Sequence, residues 1–248
     1  MSETPTAPAT SADEGARRQL GRHQKAVEAI FGSRFLNTFT SPCLVLEDHV
    51  IACPVAVRFF KKDFNYLSRQ LFLEYQYRSW RDFDVALLDR YAGIVAGKLA
   101  ALDSTLQQTI QRLQKLLEQA GQQAELTLWP TRHVVDVPII VPQARAYLAV
   151  LQKLDRVYTL TGTANLLGVI DSAQRAQAEL QAKRAVRTFR SVLQTEVTRL
   201  YREAERITTE HQQAGKTTAA PAPLVLQPAG EVELVLSVGA EASAALAA

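Results

Sequence analysis

The chain has 248 residues, of which 47% are hydrophobic, enough for one large domain or two small ones with a buried core. It contains no run of about 18 uninterrupted apolar residues and begins without the basic-then-apolar pattern of a signal peptide. We therefore expect a soluble, cytoplasmic protein without a membrane partner. Its two cysteines are too few for a disulfide scaffold.

The charge is distributed unevenly along the chain. Residues 1–15 and 212–248 are rich in Ala, Pro, Ser and Thr, and we expect both to be disordered tails. Between them, residues 16–211 hold 27 Lys and Arg against 19 Asp and Glu, a formal charge of about +8, whereas the whole chain carries +3. A surplus of this sign favours polyanionic partners.

The first predicted elements form a helical N-terminal region, residues 16–120. Residues 16–36 mix apolar and basic side chains at helical spacing, with a break expected near Gly32. Two apolar runs, residues 43–46 and 50–53, flank Glu47, Asp48 and His49 and suggest a β-hairpin, although the turn lacks glycine. Nine aromatic residues follow within residues 55–88. Their mixture with basic residues suits base stacking, but their helical spacing favours a core role for most of them.

Residues 89–120 give the clearest helical pattern of the chain. A near-heptad apolar stripe predicts a long helix that packs against another helix. The stripe consists of Val95, Leu99, Leu102, Leu106, Leu113, Leu116 and Ala120. The pattern leaves open whether the partner helix belongs to the same chain or to a second copy.

After Gly121, residues 125–141 become β-branched and extended in character. Pro130 and Pro138 exclude a central strand and favour an edge strand or a two-stranded ribbon. If the ribbon formed between two copies of the chain, one alternate set of side chains would face outward. A major groove is wide enough to accept such a ribbon. The two sets are Arg132, Val134 and Asp136, or His133, Val135 and Val137.

Two further helices are predicted. Pro142 is suited to the first turn of one, which runs to Leu167 with Gly168 as its terminator unless residues 161–163 break it. Asp171 and Ser172 open a second helix, which extends to His211. This helix carries an excess of basic residues, and Lys183, Arg187 and Arg190 share one face. Such a face is either solvated or bound to phosphates.

The sequence matches no catalytic template. It lacks the phosphate-binding glycine motifs, a zinc-protease motif and a Cys-x-x-Cys pair. Cys43, His49 and Cys53 fit no zinc spacing and lack a fourth ligand. We therefore expect no enzyme activity, no cofactor, no metal and no small-molecule substrate.

Residues 89–205 resemble the AcaB family of transcriptional regulators, which are carried by conjugative plasmids and integrative conjugative elements of bacteria. The resemblance lies in Asp89-Arg90-Tyr91-Ala92 at the start of a long helix, the proline-flanked run Val137–Val141, and Leu154-Asp155-Arg156 within a helix. An Arg-rich helix beginning near Asp171-Ser172 follows. The resemblance implies a ribbon-helix-helix type of fold, with the ribbon at residues 132–140, and a dimer that binds operator DNA.

The predicted architecture is therefore mainly α with a few short β-strands and a ribbon-helix-helix-like C-terminal half, residues 121–211. The predicted function is a DNA-binding transcriptional regulator of a mobile genetic element that binds duplex DNA as a homodimer. The alternative is a helical scaffold or assembly protein of a conjugative element that does not bind DNA. The candidate DNA-binding residues are Arg132, His133, Val134 and Asp136 on the ribbon; Arg175, Lys183, Arg184, Arg187 and Arg190 on the last helix; and Arg17, Arg18 and Arg22 near the N-terminus.

Overall fold

A computed structural model describes residues 11–122 and 129–213 of the chain. The helices are α1 (Ser11–Phe31), α2 (Ser33–Thr38), α3 (Pro54–Phe59), α4 (Asn65–Arg78), α5 (Val85–Gln119), α6 (Pro142–Leu166) and α7 (Ser172–Gln213), and the strands are β1 (Leu44–Ile51) and β2 (His133–Ile139). A π-helical turn, Phe60–Phe64, joins α3 to α4. The fold is thus mainly α with a small sheet, as predicted. Residues 1–10 and 214–248 of the predicted tails lie outside the described residues, whereas residues 11–15 and 212–213 are helical, so α1 begins earlier and α7 ends later than predicted.

Local sequence signals set the ends of α1 and α5. Gly32 has a positive φ of 85° and separates α1 from α2, which confirms the predicted break. The side chain of Asp84 accepts hydrogen bonds from the backbone N of Ala86 at 2.9 Å and of Leu87 at 3.3 Å, so α5 begins one turn earlier than predicted. Gly121, with φ of 70°, follows its C-terminal end.

The bounds of α6 and α7 agree closely with the sequence pattern. Pro142 occupies the first turn of α6, and Gly168 follows its end with φ of 70°. Residues 161–163 do not break α6. Asp171 and Gln174 form a reciprocal capping box at the start of α7, because each backbone N donates to the other's side chain, at 3.1 and 2.7 Å.

The apolar stripe of α5 is buried against α6 and α7, so its partner helices belong to the same chain. Ile110 and Leu117 continue the buried stripe, whereas Leu116 and Ala120, which the heptad pattern placed in it, are both exposed. A straight helix has 3.6 residues per turn, so its buried face drifts away from a strict heptad. Buried residues from Phe31 to Ile207 form one core cluster, and this core joins the regions before and after residue 120.

The predicted hairpin at residues 43–53 is wrong. Residues 44–51 form the single strand β1, which pairs antiparallel with β2 so that Leu44 lies opposite Ile139 and Ile51 opposite His133. The register shifts between Leu46 and His49, and Asp48 has a positive φ of 53°. The polar residues between the two apolar runs thus form a β-bulge, not a turn, because the strand finds its partner far along the chain.

The same pairing corrects the expected ribbon. The order strand, helix, helix is present as β2, α6 and α7. The second strand of the ribbon, however, is β1 of the same chain and not a copy of β2 from another subunit. A ribbon-helix-helix ribbon built from two copies of β2 alone is therefore not the arrangement found, and one chain completes the two-stranded ribbon.

Two leucines on α6 provide a matched test of this core. Leu154 is fully buried, whereas Leu166 is 76% exposed. We expect Leu154→Ala to lower the free energy of unfolding by about 2–5 kcal/mol because it leaves a cavity. Leu166→Ala should change it by less than about 0.5 kcal/mol. Urea denaturation followed by circular dichroism measures both, and an equal effect of the two changes would contradict the packing of α6.

Candidate nucleic-acid interface

The two faces of β2 differ in exposure. Val134 is 56% exposed, and Val50, opposite it on β1, is 45% exposed, whereas Val137 is fully buried. Arg132, directly before β2, is also exposed. Arg132 and Val134 of the first alternate set therefore face outward, whereas the side chain of Asp136, in the same set, is only 18% exposed. The set containing His133 and Val137 faces the core.

The first residue of β2 lies beside the π-helical turn. The ring centroid of His133 is 6.2 Å from that of Phe60. Burial lowers the pKa of His133, and the nearby charge of Lys61 lowers it further. Lys61 of the turn therefore lies near the start of β2, which Arg132 directly precedes.

The π-helical turn also contacts α7 through a buried ion pair. Asp63 is 2% exposed, and its carboxylate accepts a hydrogen bond from the Arg190 guanidinium. The same guanidinium lies 5.5 Å from the centroid of the Tyr66 ring. Burial raises the pKa of Asp63, while the positive charges of Arg190, Lys62 and Arg187 oppose that rise. This pair fixes Arg190 and aligns the turn with α7.

Around this pair lie cations without acidic partners. Arg58, Lys62 and Arg187 are exposed, and none makes a hydrogen bond or ion pair with any residue in the described ranges. Lys183 is half-buried, with its ammonium 5.5 Å from the centroid of the Tyr158 ring. Together with Arg190 these residues form a surface that we call the basic patch: Arg58, Lys62, Lys183, Arg187 and Arg190.

The other basic residues of α7 differ in how far they are neutralised. Arg175 pairs with Glu179 at 2.8 Å. Arg184 is exposed and makes no ion pair within the described part of the chain. Nearer the C-terminal end, Arg199 pairs with Glu196, and Arg206 pairs with both Glu203 and Glu210. The excess charge of α7 is thus concentrated at residues 183–190.

In α1, Arg22 has an intrachain role. Its guanidinium holds both carboxylate oxygens of Asp136 at 2.6 Å, and it also bonds Asp48 at 2.6 Å and Glu47 at 3.1 Å. Asp136 in turn accepts the backbone N–H of Asp48, in the bulge of β1, at 2.9 Å. We call this group the Arg22 clamp. Contact of Arg22 or Asp136 with DNA stays a prediction, and it would require this clamp to open. Arg17 and Arg18 lie exposed on α1.

The sequence interpretation missed Arg58, Lys61, Lys62 and Asp63. These residues stand among Phe59, Phe60 and Phe64, and the aromatic spacing directed attention to the core. A signal was present, since charged side chains interrupting a core-facing helical run must point outward or be paired.

The metal-ligating and thiol side chains of the described residues form no further candidate site. No group of three or more His, Cys, Asp and Glu is placed to hold a metal ion there. Cys43 and Cys53 are free thiols, and burial raises the pKa of both. Within the same ranges, no helix combines the length and the apolar character needed to cross a bilayer.

The Arg22 clamp should make stability depend on acid pH. The Arg22 hydrogen bonds hold the pKa of Asp136 below its ordinary value of 3.8. Ionised Asp136 therefore stabilises the fold above pH 3.8, and this contribution is lost as the pH falls through the lower folded pKa. We expect Asp136→Asn to lower Tm at pH 7 and the difference from wild type to shrink progressively as the pH falls below 3.8. The exposed Glu28→Gln on α1 is the control, and an undiminished difference at pH 3 would contradict the clamp.

Comparison with known proteins shows the fold. No protein-family model matches the chain, and no curated protein matches it. Among solved structures, AcaB from uropathogenic E. coli, crystallised with selenomethionine, superimposes with a TM-score of 0.61 at 18% sequence identity. The match covers 73% of this chain and 91% of the AcaB chain. The chain therefore shares its fold with AcaB as a distant structural relative.

Proposed function

We propose that the protein is a transcriptional regulator of a mobile genetic element that binds duplex DNA through the basic patch and the adjoining end of the ribbon. The observation that carries this proposal is the patch itself. It gathers five cations around one carboxylate, and that carboxylate is already bonded to Arg190. The other four cations have no ion-pair partner in the described ranges, and such an excess of positive charge is the electrostatic footprint of a polyanion-binding surface.

In protein–DNA complexes, contacts with phosphates position the protein and contacts with bases specify the sequence, and the arrangement here suits both. Lys183, Arg187 and Arg190 stand at successive turns of one face of α7, where they can follow a phosphate backbone. Exposed Arg132 precedes the ribbon, and its guanidinium can bond a guanine edge through two hydrogen bonds. The exposed methyl groups of Val134 suit contact with thymine. In this proposal the patch positions the DNA, and the end of the ribbon reads its sequence.

The AcaB-like fold supports a regulatory role. The family that residues 89–205 resemble consists of regulators of conjugative elements, and the fold now matches as well. The homodimer implied by that resemblance belongs to the proposal, and it would present two patches to one duplex. Since β2 pairs with β1 in its own chain, such a dimer does not need two copies of β2 to complete a ribbon.

The alternative, a scaffold protein that does not bind DNA, lacks the free apolar helix face that it requires. That alternative relied on the stripe of α5 being available to a partner helix. Leu99, Leu102 and Leu106 are buried in the chain's own core, which leaves no apolar stripe at those positions for a partner.

Salt dependence of binding tests the proposal. Fluorescence anisotropy with a duplex taken from around the protein's own gene should give an affinity that falls steeply from low to physiological salt. Replacing both Lys62 and Arg187 with Ala should lower the slope of log K against log [salt] by about 2, because each cation that engages a phosphate contributes about one counterion. Arg132→Ala should instead reduce sequence preference.

The matched control is Arg206→Ala, also on α7, because its guanidinium is already neutralised by Glu203 and Glu210. This change should leave the slope unaltered. Absence of binding to any duplex at low salt would overturn the proposed function and favour the scaffold alternative. Sedimentation equilibrium in the same buffer measures whether the bound species is a dimer.

A further inference from the structure

The basic patch is not a flat surface, because it surrounds a cavity between α3, the π-helical turn and α7. The cavity has a volume of about 170 Å³, and all five patch cations line it together with Asp63. A water molecule needs only about 10–15 Å³ of such space. There is therefore room for a group of several heavy atoms.

The charges around this space are unbalanced. Asp63 is the acidic residue in the lining, and its carboxylate is bonded to Arg190. Arg58, Lys62, Lys183 and Arg187 have no ion-pair partner in the described ranges. Like charges held together in a concave site repel one another and focus a positive potential into it. An anion in the cavity would relieve this repulsion.

The cations approach the cavity from opposite walls. Arg58 and Lys62 stand four residues apart on the α3 and π-helical wall, and Lys183 and Arg187 stand four apart on the α7 wall. Donors that converge from two sides can bond several oxygens of one tetrahedral group, and guanidinium groups suit phosphate oxygens in particular. The Asp63–Arg190 pair holds the two walls together. π-helical turns inside α-helices occur frequently at functional sites.

The remaining lining is apolar. Val55 and Phe59 complete the cavity wall, and both are half-buried. A site for a bare inorganic ion has no need of such side chains, whereas the organic part of a ligand can pack against them. The positive charge around the cavity is also larger than the single negative charge of one DNA phosphodiester could neutralise.

We propose that this cavity binds a small organic phosphate that carries two or more negative charges on one terminal group, such as a nucleoside diphosphate. Because the ligand would occupy the patch, it would compete with duplex DNA for Lys62 and Arg187. The competition rests on the proposed function, but binding of the ligand does not.

Isothermal titration calorimetry of the full chain without DNA tests the site. ADP and pyrophosphate are the probes, and adenosine is the neutral control. We expect saturable binding of ADP, weaker binding of pyrophosphate and no binding of adenosine. Arg58→Gln and Lys183→Gln, one on each wall, should each weaken ADP binding about tenfold, because each removes a charged hydrogen-bond donor.

Arg184→Gln is the matched control, since this exposed residue lies next to Lys183 in sequence but does not line the cavity. It should leave ADP affinity unchanged, and thermal melts verify that each variant folds. Absence of ADP and pyrophosphate binding, or an equal loss in Arg184→Gln, would overturn the cavity proposal. ADP binding without any DNA binding would support the cavity site and refute the DNA-binding function. DNA binding without any ADP binding would refute the cavity site and support the DNA-binding function.

Discussion

The antiparallel pairing of β1 with β2 within one chain determines how the rest of the surface is arranged. It joins segments on either side of the long helix α5, and the Arg22 clamp fixes α1 and the bulge of β1 to it. The pairing sets His133 against Phe60 and so places the start of β2 beside the π-helical turn. Arg132 directly precedes His133 in this contact, and the same π-helical turn carries Lys62 of the basic patch.

The ion pair between Asp63 and Arg190 positions α7 against the π-helical turn more than it adds to the stability of the fold. Burying a carboxylate costs desolvation free energy, which the pairing offsets only in part, and the pKa of Asp63 is raised accordingly. The pair nevertheless holds α7 against the π-helical turn at the point where the charges converge. It also neutralises the acid that lines the cavity, so the remaining cations are available to an anionic partner.

Local sequence signals predict much of this fold, but they do not predict which distant segments pair as strands. Gly32, Pro142, Gly168 and the Asp171 cap correctly mark helix ends because their effect depends only on neighbouring residues. The hairpin failed because two apolar runs around a polar centre describe a bulged strand equally well. The basic character of residues 183–190 is visible in the sequence, whereas the position of Arg58 and Lys62 opposite α7 depends on long-range packing, which local patterns do not show.

Lysine acetylation footprinting read by mass spectrometry tests the central claim most directly, namely that the basic patch is where duplex DNA binds. The chain provides internal controls, because Lys98 and Lys115 are exposed on α5, outside the patch. Saturating duplex DNA is predicted to protect Lys62 and Lys183 from acetylation and to leave Lys98 and Lys115 as reactive as before. Equal protection of all four lysines, or protection of the α5 pair alone, would contradict the account.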